Sequence, residues 1–143
     1  MEQLYEAPFY WMGADKAYVS TAMQNRGVFT EQFAVERLRQ VFGAENVFAN
    51  IDIYESKDTK LAEIDVLVLF GNRAVVLQAK SKRLTLEARR GNDLQIKDDF
   101  KKSIQDSSDQ AYRCAKLIEE GKCSFKDAVG NAVTLSTDRK SVV

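Results

Sequence analysis

The segment "EIDVLVLFGNRAVVLQAKSK", beginning at Glu63, constrains the fold more than any other part of the chain. Two runs of branched apolar residues flank a Gly-Asn-Arg connection, the pattern of two buried strands joined by a tight turn around Gly71-Asn72. Polar residues interrupt both runs: Asp65 lies inside the first, and Gln78 and Lys80 close the second. Residues two apart on a strand share a face, so the spacing predicts that Gln78 and Lys80 point the same way, as do Glu63 and Asp65. Pairing around the turn brings Asp65 and the Gln78/Lys80 pair together at one end of the hairpin, with the Ala79 carbonyl between the latter two.

The flanking patterns supply the rest of the fold. Thr30 has the character of a helix N-cap, and "FTEQFAVERLRQVFG" predicts an amphipathic helix closed by Gly43. Phe33, Ala34, Leu38, Val41 and Phe42 form its apolar stripe at about 100° per residue. Glu31 projects near that stripe, either as an acid favoured by the helix N-terminus or as one directed at a site below. "NVFANIDIYE" predicts a strand and "SKDTKLA" a loop. A long helix is expected from about Ile96 to Glu120, with Phe100, Ile104, Ala111, Ala115 and Ile118 buried and Gly121 as its stop. "CSFKDAVGNAVTLSTDRKSVV" predicts one or two further strands around Gly130-Asn131. The order is α, three strands, α, β: an α/β domain with a mixed sheet flanked by helices.

The first 28 residues are expected to be an N-terminal arm or helix packing on a domain spanning 29–143. Tyr5, Phe9, Tyr10 and Trp11 in this arm either pack it down or stack on bases. The chain stops after a strand-like segment, which leaves open a further domain in a longer protein.

Composition narrows the chemistry. With 143 residues, 45% of them apolar, the chain can bury one core. No apolar run is long enough to span a bilayer and no secretory leader pattern is present, so a cytoplasmic protein is expected. Cys114 and Cys123 form no CxxC or zinc-finger spacing and suit reduced, structural roles. Histidine is absent, which excludes Ser-His-Asp and Cys-His catalysis within this chain and histidine-ligated zinc. Chemistry is left to carboxylates, Lys, Tyr, Gln or a hard metal ion. Basic and acidic residues balance at 21 each, yet "KSKRLTLEARR" concentrates Lys80, Lys82, Arg83, Arg89 and Arg90 against Glu87 alone. Such a local patch is either a solvated loop or a place for phosphates.

An acid, an amide, a carbonyl and a lysine at one hairpin end, with Glu31 within reach, suit magnesium-assisted phosphodiester hydrolysis. A buried Asp-Lys ion pair with Gln78 as its hydrogen-bond partner satisfies the same spacing. Glu31 in an early helix, then "EIDVLVLF", then "VVLQAKS", resembles the PD-(D/E)xK nuclease superfamily. Within it the chain is most similar to the restriction-endonuclease-like group with Mrr-type and nuclease-related (NERD) domains, over roughly Val28 to Leu117.

That resemblance implies an αβββαβ core and a metal-dependent DNA endonuclease. It assigns catalysis to Glu31, Asp65, Gln78 and Lys80, and Mg²⁺, with Mn²⁺ able to substitute, to Glu31, Asp65, Gln78 and the Ala79 carbonyl. Glu63 and Gln110 become supporting residues, with Tyr112 near the latter, and Lys82, Arg83, Arg89 and Arg90 become phosphate contacts. Most members of the superfamily carry an acid where Gln78 stands. Mrr-like members carry Gln, and the change removes one negative charge from the metal site. The rival reading is a nuclease-like module that binds nucleic acid or a protein without cutting. The substrate's strandedness and a homodimer that cuts both strands are left open.

Overall fold

The computed structural model describes residues 2–57, 59–135 and 141–142. Helices α1 (Glu2–Ala14) and α2 (Val19–Phe42) lead into strands β1 (Val47–Ser56), β2 (Thr59–Phe70) and β3 (Arg73–Leu77). Helices α3 (Leu86–Arg89), α4 (Asp93–Phe100) and α5 (Asp106–Glu120) follow, and then the short strands β4 (Ser124–Lys126) and β5 (Ser141–Val142). One sheet runs in the order β4-β1-β2-β3-β5, antiparallel except for the β3–β5 pair. This is the expected α/β restriction-endonuclease-like arrangement, a mixed sheet flanked by helices. Residues 136–140 of the expected C-terminal strands lie outside the described residues.

The hairpin forms as its sequence dictates. Val66 pairs with Leu77 and Phe70 with Arg73 across a two-residue loop. Gly71 takes φ +57° at the first loop position, the place where a tight hairpin turn calls for glycine. Ile64–Leu69 is buried at every position because β2 is the middle strand, covered on both faces. On one side Val66 and Val68 cluster with Val35 and Leu38 of α2; on the other Leu67 and Leu69 cluster with Cys114 and Ile118 of α5.

One irregularity breaks the simple alternation. Val47 and Ala49 of β1 belong to the α2-side cluster, whereas Ile51 and Ile53, of the same parity, belong to the α5-side cluster. On β2 the same change separates Val66 from Ile64. Both strands therefore change sides between the pairs Ala49↔Val66 and Ile51↔Ile64, at the step that contains Asn50 and Asp65. Asn50 adopts φ +51°, the left-handed region that asparagine tolerates better than most residues, and no other non-glycine among the described residues does so. The strands then run on past the expected loop, so that Thr59–Ala62 is strand, and the Lys60 ammonium bridges Asp52 (2.6 Å) and Glu63 (2.8 Å) there.

Two helical expectations need correction. Thr30 does not cap a helix: α2 runs unbroken from Val19, and the Thr30 hydroxyl donates to the Arg26 carbonyl one turn back. The expected boundary at 28/29 thus falls inside α2. Val35 takes the buried place in α2, while Phe33 and Val41 are exposed, Val41 by 74%. Between α4 and α5 lies a π-helical turn, Lys101–Gln105, whose wider hydrogen-bonded ring carries an extra residue and shifts the helix phase. Phe100 and Ile104 consequently face solvent, Ile104 by 55%, while Asp99 is buried; beyond the turn Ala111, Ala115 and Ile118 pack as expected. No helix among the described residues is long and apolar enough to cross a membrane.

Candidate active site

Asp65 and Gln78 lie one step beyond the last ladder pair of the β2–β3 hairpin, where the strands part. The backbone N–H of Ala79 donates to Asp65 Oδ2 at 2.7 Å, which fixes the carboxylate against the segment that carries Lys80. The Lys80 ammonium stands 3.7 Å from the same oxygen and 3.5 Å from Gln110 Oε1. Gln78 donates its amide to the Glu63 carbonyl at 2.9 Å. The same carbonyl accepts from Gln110 Nε2 at 3.3 Å and from the Cys114 thiol, tying β2, β3 and α5 together. The Cys114 thiol pKa is pushed up by burial, which suits the expected structural role, and both cysteines are free.

Glu31 reaches this group from α2. Its pKa is raised, first by burial and then by the charges of Asp65 and Glu63, while Lys80 partly offsets them. The structure therefore brings Glu31, Asp65, Gln78, Lys80 and Gln110 to one hairpin end. The Glu63 side chain is not directed there: its carboxylate pairs with Lys60, and its backbone carbonyl is what supports Gln78 and Gln110. The change of sides at Asp65 removes the basis for the expected shared face.

The donor set fits a hard cation. Gln78 Oε1 is buried and has no hydrogen-bond partner, a costly state for an amide oxygen unless something meets it. The carboxylates of Glu31 and Asp65 outweigh Lys80 in charge. Among the described residues no three acidic or cysteine side chains converge as a metal-holding group. One or two carboxylates completed by the Gln78 amide oxygen, the Ala79 carbonyl and water would match what Mg²⁺ ordinarily asks of a protein.

The basic segment divides in two. Lys82 makes a 2.9 Å ion pair with Asp99, which is 1% exposed and also accepts from the Thr85 N–H at 2.7 Å and from Gln95. These bonds, led by the Thr85 N–H, hold the Asp99 carboxyl well below the usual carboxylate range. Arg83 and Arg89 lie over the rings of Phe9 and Tyr10, at 5.5 and 5.7 Å, so the arm's aromatics meet this patch. Arg90 is exposed at the end of α3, and Trp11 is exposed on α1. The side chain of Tyr5 lies outside the described residues. Sequence reasoning missed Asp99, although Asp99, Ser103 and Ser107 at four-residue spacing trace a polar stripe inside an apolar helix pattern.

A family model described as nuclease-related domain (NERD) matches residues 26–136. The chain belongs to that family. No curated protein and no solved structure matches it. In this nuclease-related domain, Glu31, Asp65, Gln78, Lys80 and Gln110 all lie within the matched span.

Proposed function

We propose that this nuclease-related domain is a metal-dependent DNA endonuclease that hydrolyses phosphodiester bonds at Glu31, Asp65, Gln78 and Lys80. The observation that carries the proposal is the unmet, buried Gln78 Oε1 in the same short segment as the Asp65–Ala79 bond and Lys80. Asp65 is the principal ligand of Mg²⁺ or Mn²⁺, with Gln78 Oε1, the Ala79 carbonyl and Glu31, directly or through water, as the others. When bound, the ion supplies Lewis acidity and a water of lowered pKa for in-line attack at phosphorus. Lys80, held loosely, is free to meet the charge that develops on the phosphate oxygens and to position the attacking water. Gln110 orients Lys80, and Arg83, Arg89 and Arg90 contact flanking phosphates. Lys82, engaged by Asp99, adds to the local potential.

The test is cleavage of duplex, branched and single-stranded DNA with Mg²⁺ or Mn²⁺, with Asp65→Ala as the control. No cleavage of any form with either ion sinks the enzyme reading. A second reading, a binding module that does not cut, draws on the absence of three converging acids among the described residues. It predicts DNA binding indifferent to divalent ions and to Asp65→Ala.

A further inference from the structure

A groove of about 490 Å³ separates α1 from the segment that follows Lys80. Its walls include Phe9, Tyr10, Met23, Arg26, Arg83 and Leu84. Ser81, the residue after Lys80, also lines it and accepts a 2.8 Å bond from Arg26 Nη2, so the groove is anchored one residue from the proposed catalytic lysine. Phe9 holds two guanidinium groups in place, with Arg26 at 4.2 Å from the ring centre and Arg83 at 5.5 Å. The hydroxyl of Tyr10 is buried and has no hydrogen-bond partner. Burial and the nearby Arg83 charge lower the Arg26 pKa.

We infer that this groove is a subsite for one unpaired nucleobase of the substrate strand, an inference that rests on the nuclease reading above. Flat aromatic and guanidinium surfaces are what an unstacked base packs against, and apolar walls with a single unmet hydroxyl suit its faces and its edge. The volume falls within the roughly 300–1,000 Å³ of small-molecule sites. Arg26, bonded to the Ser81 carbonyl beside Lys80, complements the phosphate that travels with the base. A base inside a duplex is stacked and cannot enter, so the substrate presents a single-stranded or extruded nucleotide next to the scissile bond.

The test uses a single-stranded oligonucleotide with one 2-aminopurine and a hairpin duplex of matching composition, both in EDTA so that nothing is cut. The wild type should bind the single strand on the order of tenfold more tightly than the duplex and quench the 2-aminopurine through stacking. Met23→Trp, which fills the groove, should abolish the quench. Tyr10→Phe, which keeps the ring and so the packing, should weaken single-strand binding about threefold with Tm unchanged. Equal affinity for the two forms, or a quench that survives both substitutions, overturns the subsite. Because no metal is present, the failure of metal-dependent cleavage would sink the nuclease reading while leaving this binding result legible. Cleavage with no groove effect would sink the subsite alone.

Discussion

Two buried aspartates, Asp65 and Asp99, hold opposite ends of one segment, and they are built differently. The N–H of Ala79 reaches Asp65 and the N–H of Thr85 reaches Asp99, each at 2.7 Å. Lys80 and Lys82, two residues apart, go one to each acid. At Asp99 the lysine closes to 2.9 Å, Gln95 adds a further bond, and a single acid meets a single base. At Asp65 the lysine stands off at 3.7 Å, the Asp65 charge adds to burial in raising the Glu31 pKa, and the neighbouring Gln78 oxygen has no partner. A saturated acid–base pair stabilises a fold and has nothing left to offer a ligand. An unsaturated one costs stability and keeps polar atoms available to a ligand.

The sharpest way to break this comparison is to remove each acid in turn. Asp65→Ala should lower metal-dependent cleavage by roughly 10³-fold or more while Tm changes by only a few degrees. Asp99→Ala should do the reverse, lowering Tm by on the order of 10 °C because Lys82 and the Thr85 N–H lose their partner. Thermal melts and cleavage rates on the same samples decide it. If Asp65→Ala unfolds the protein, the Asp65–Lys80 pair is a core ion pair and the contrast disappears.

The lysines should divide likewise. Lys80→Ala should cost on the order of 10²-fold in kcat with Tm nearly unchanged, and Lys82→Ala should lower Tm with a smaller kinetic effect. Added Mn²⁺ should raise Tm by a few degrees in the wild type and in Asp99→Ala, and not in Asp65→Ala. A Mn²⁺ shift that persists without Asp65 would place the ion elsewhere.

The smallest expected effects are in pH dependence, with opposite signs at the two sites. The folded-state pKa of Asp99 is depressed, so its contribution is present above the ordinary carboxylate range and is lost as pH falls below about 4 towards the folded value. The folded-state pKa of Glu31 is raised, so the ionised group opposes folding above that range. Glu31→Gln should therefore raise Tm slightly at pH 7 without metal, and the gain should fade as pH drops below the ordinary Glu pKa. Melting curves between pH 3 and 8 test both signs.

The sequence made the Asp65 site legible because its residues interrupt a strongly apolar hairpin, where each polar residue needs a reason. The sheet was legible for the same cause: unbroken apolar runs identify a middle strand. Asp99 was hidden because a helix aspartate is ordinarily a solvent residue, and the clue lay in a phase that the π turn had altered. Thr30 misled because a threonine can cap a helix or bond back within one, and only the continuity of α2 distinguishes the two. The turnover at Asn50 and Asp65 has no signature in a two-residue alternation, because both strands change sides together.

The π-helical turn at Lys101–Gln105 has a genetic consequence. It places one more residue between Asp99 and Gln110 than a regular helix would carry. Loss of a single codon there, other than that of Ser103, whose hydroxyl donates to the Asp99 carbonyl, would restore ordinary helical hydrogen bonding. Because the wider π ring spreads one more residue over the rotation of an α turn, Asp99 would keep its direction relative to Gln110 and Cys114. A substitution that switched the turn to α bonding at the same residue count would instead rotate Asp99 by about 100° relative to Gln110 and Cys114.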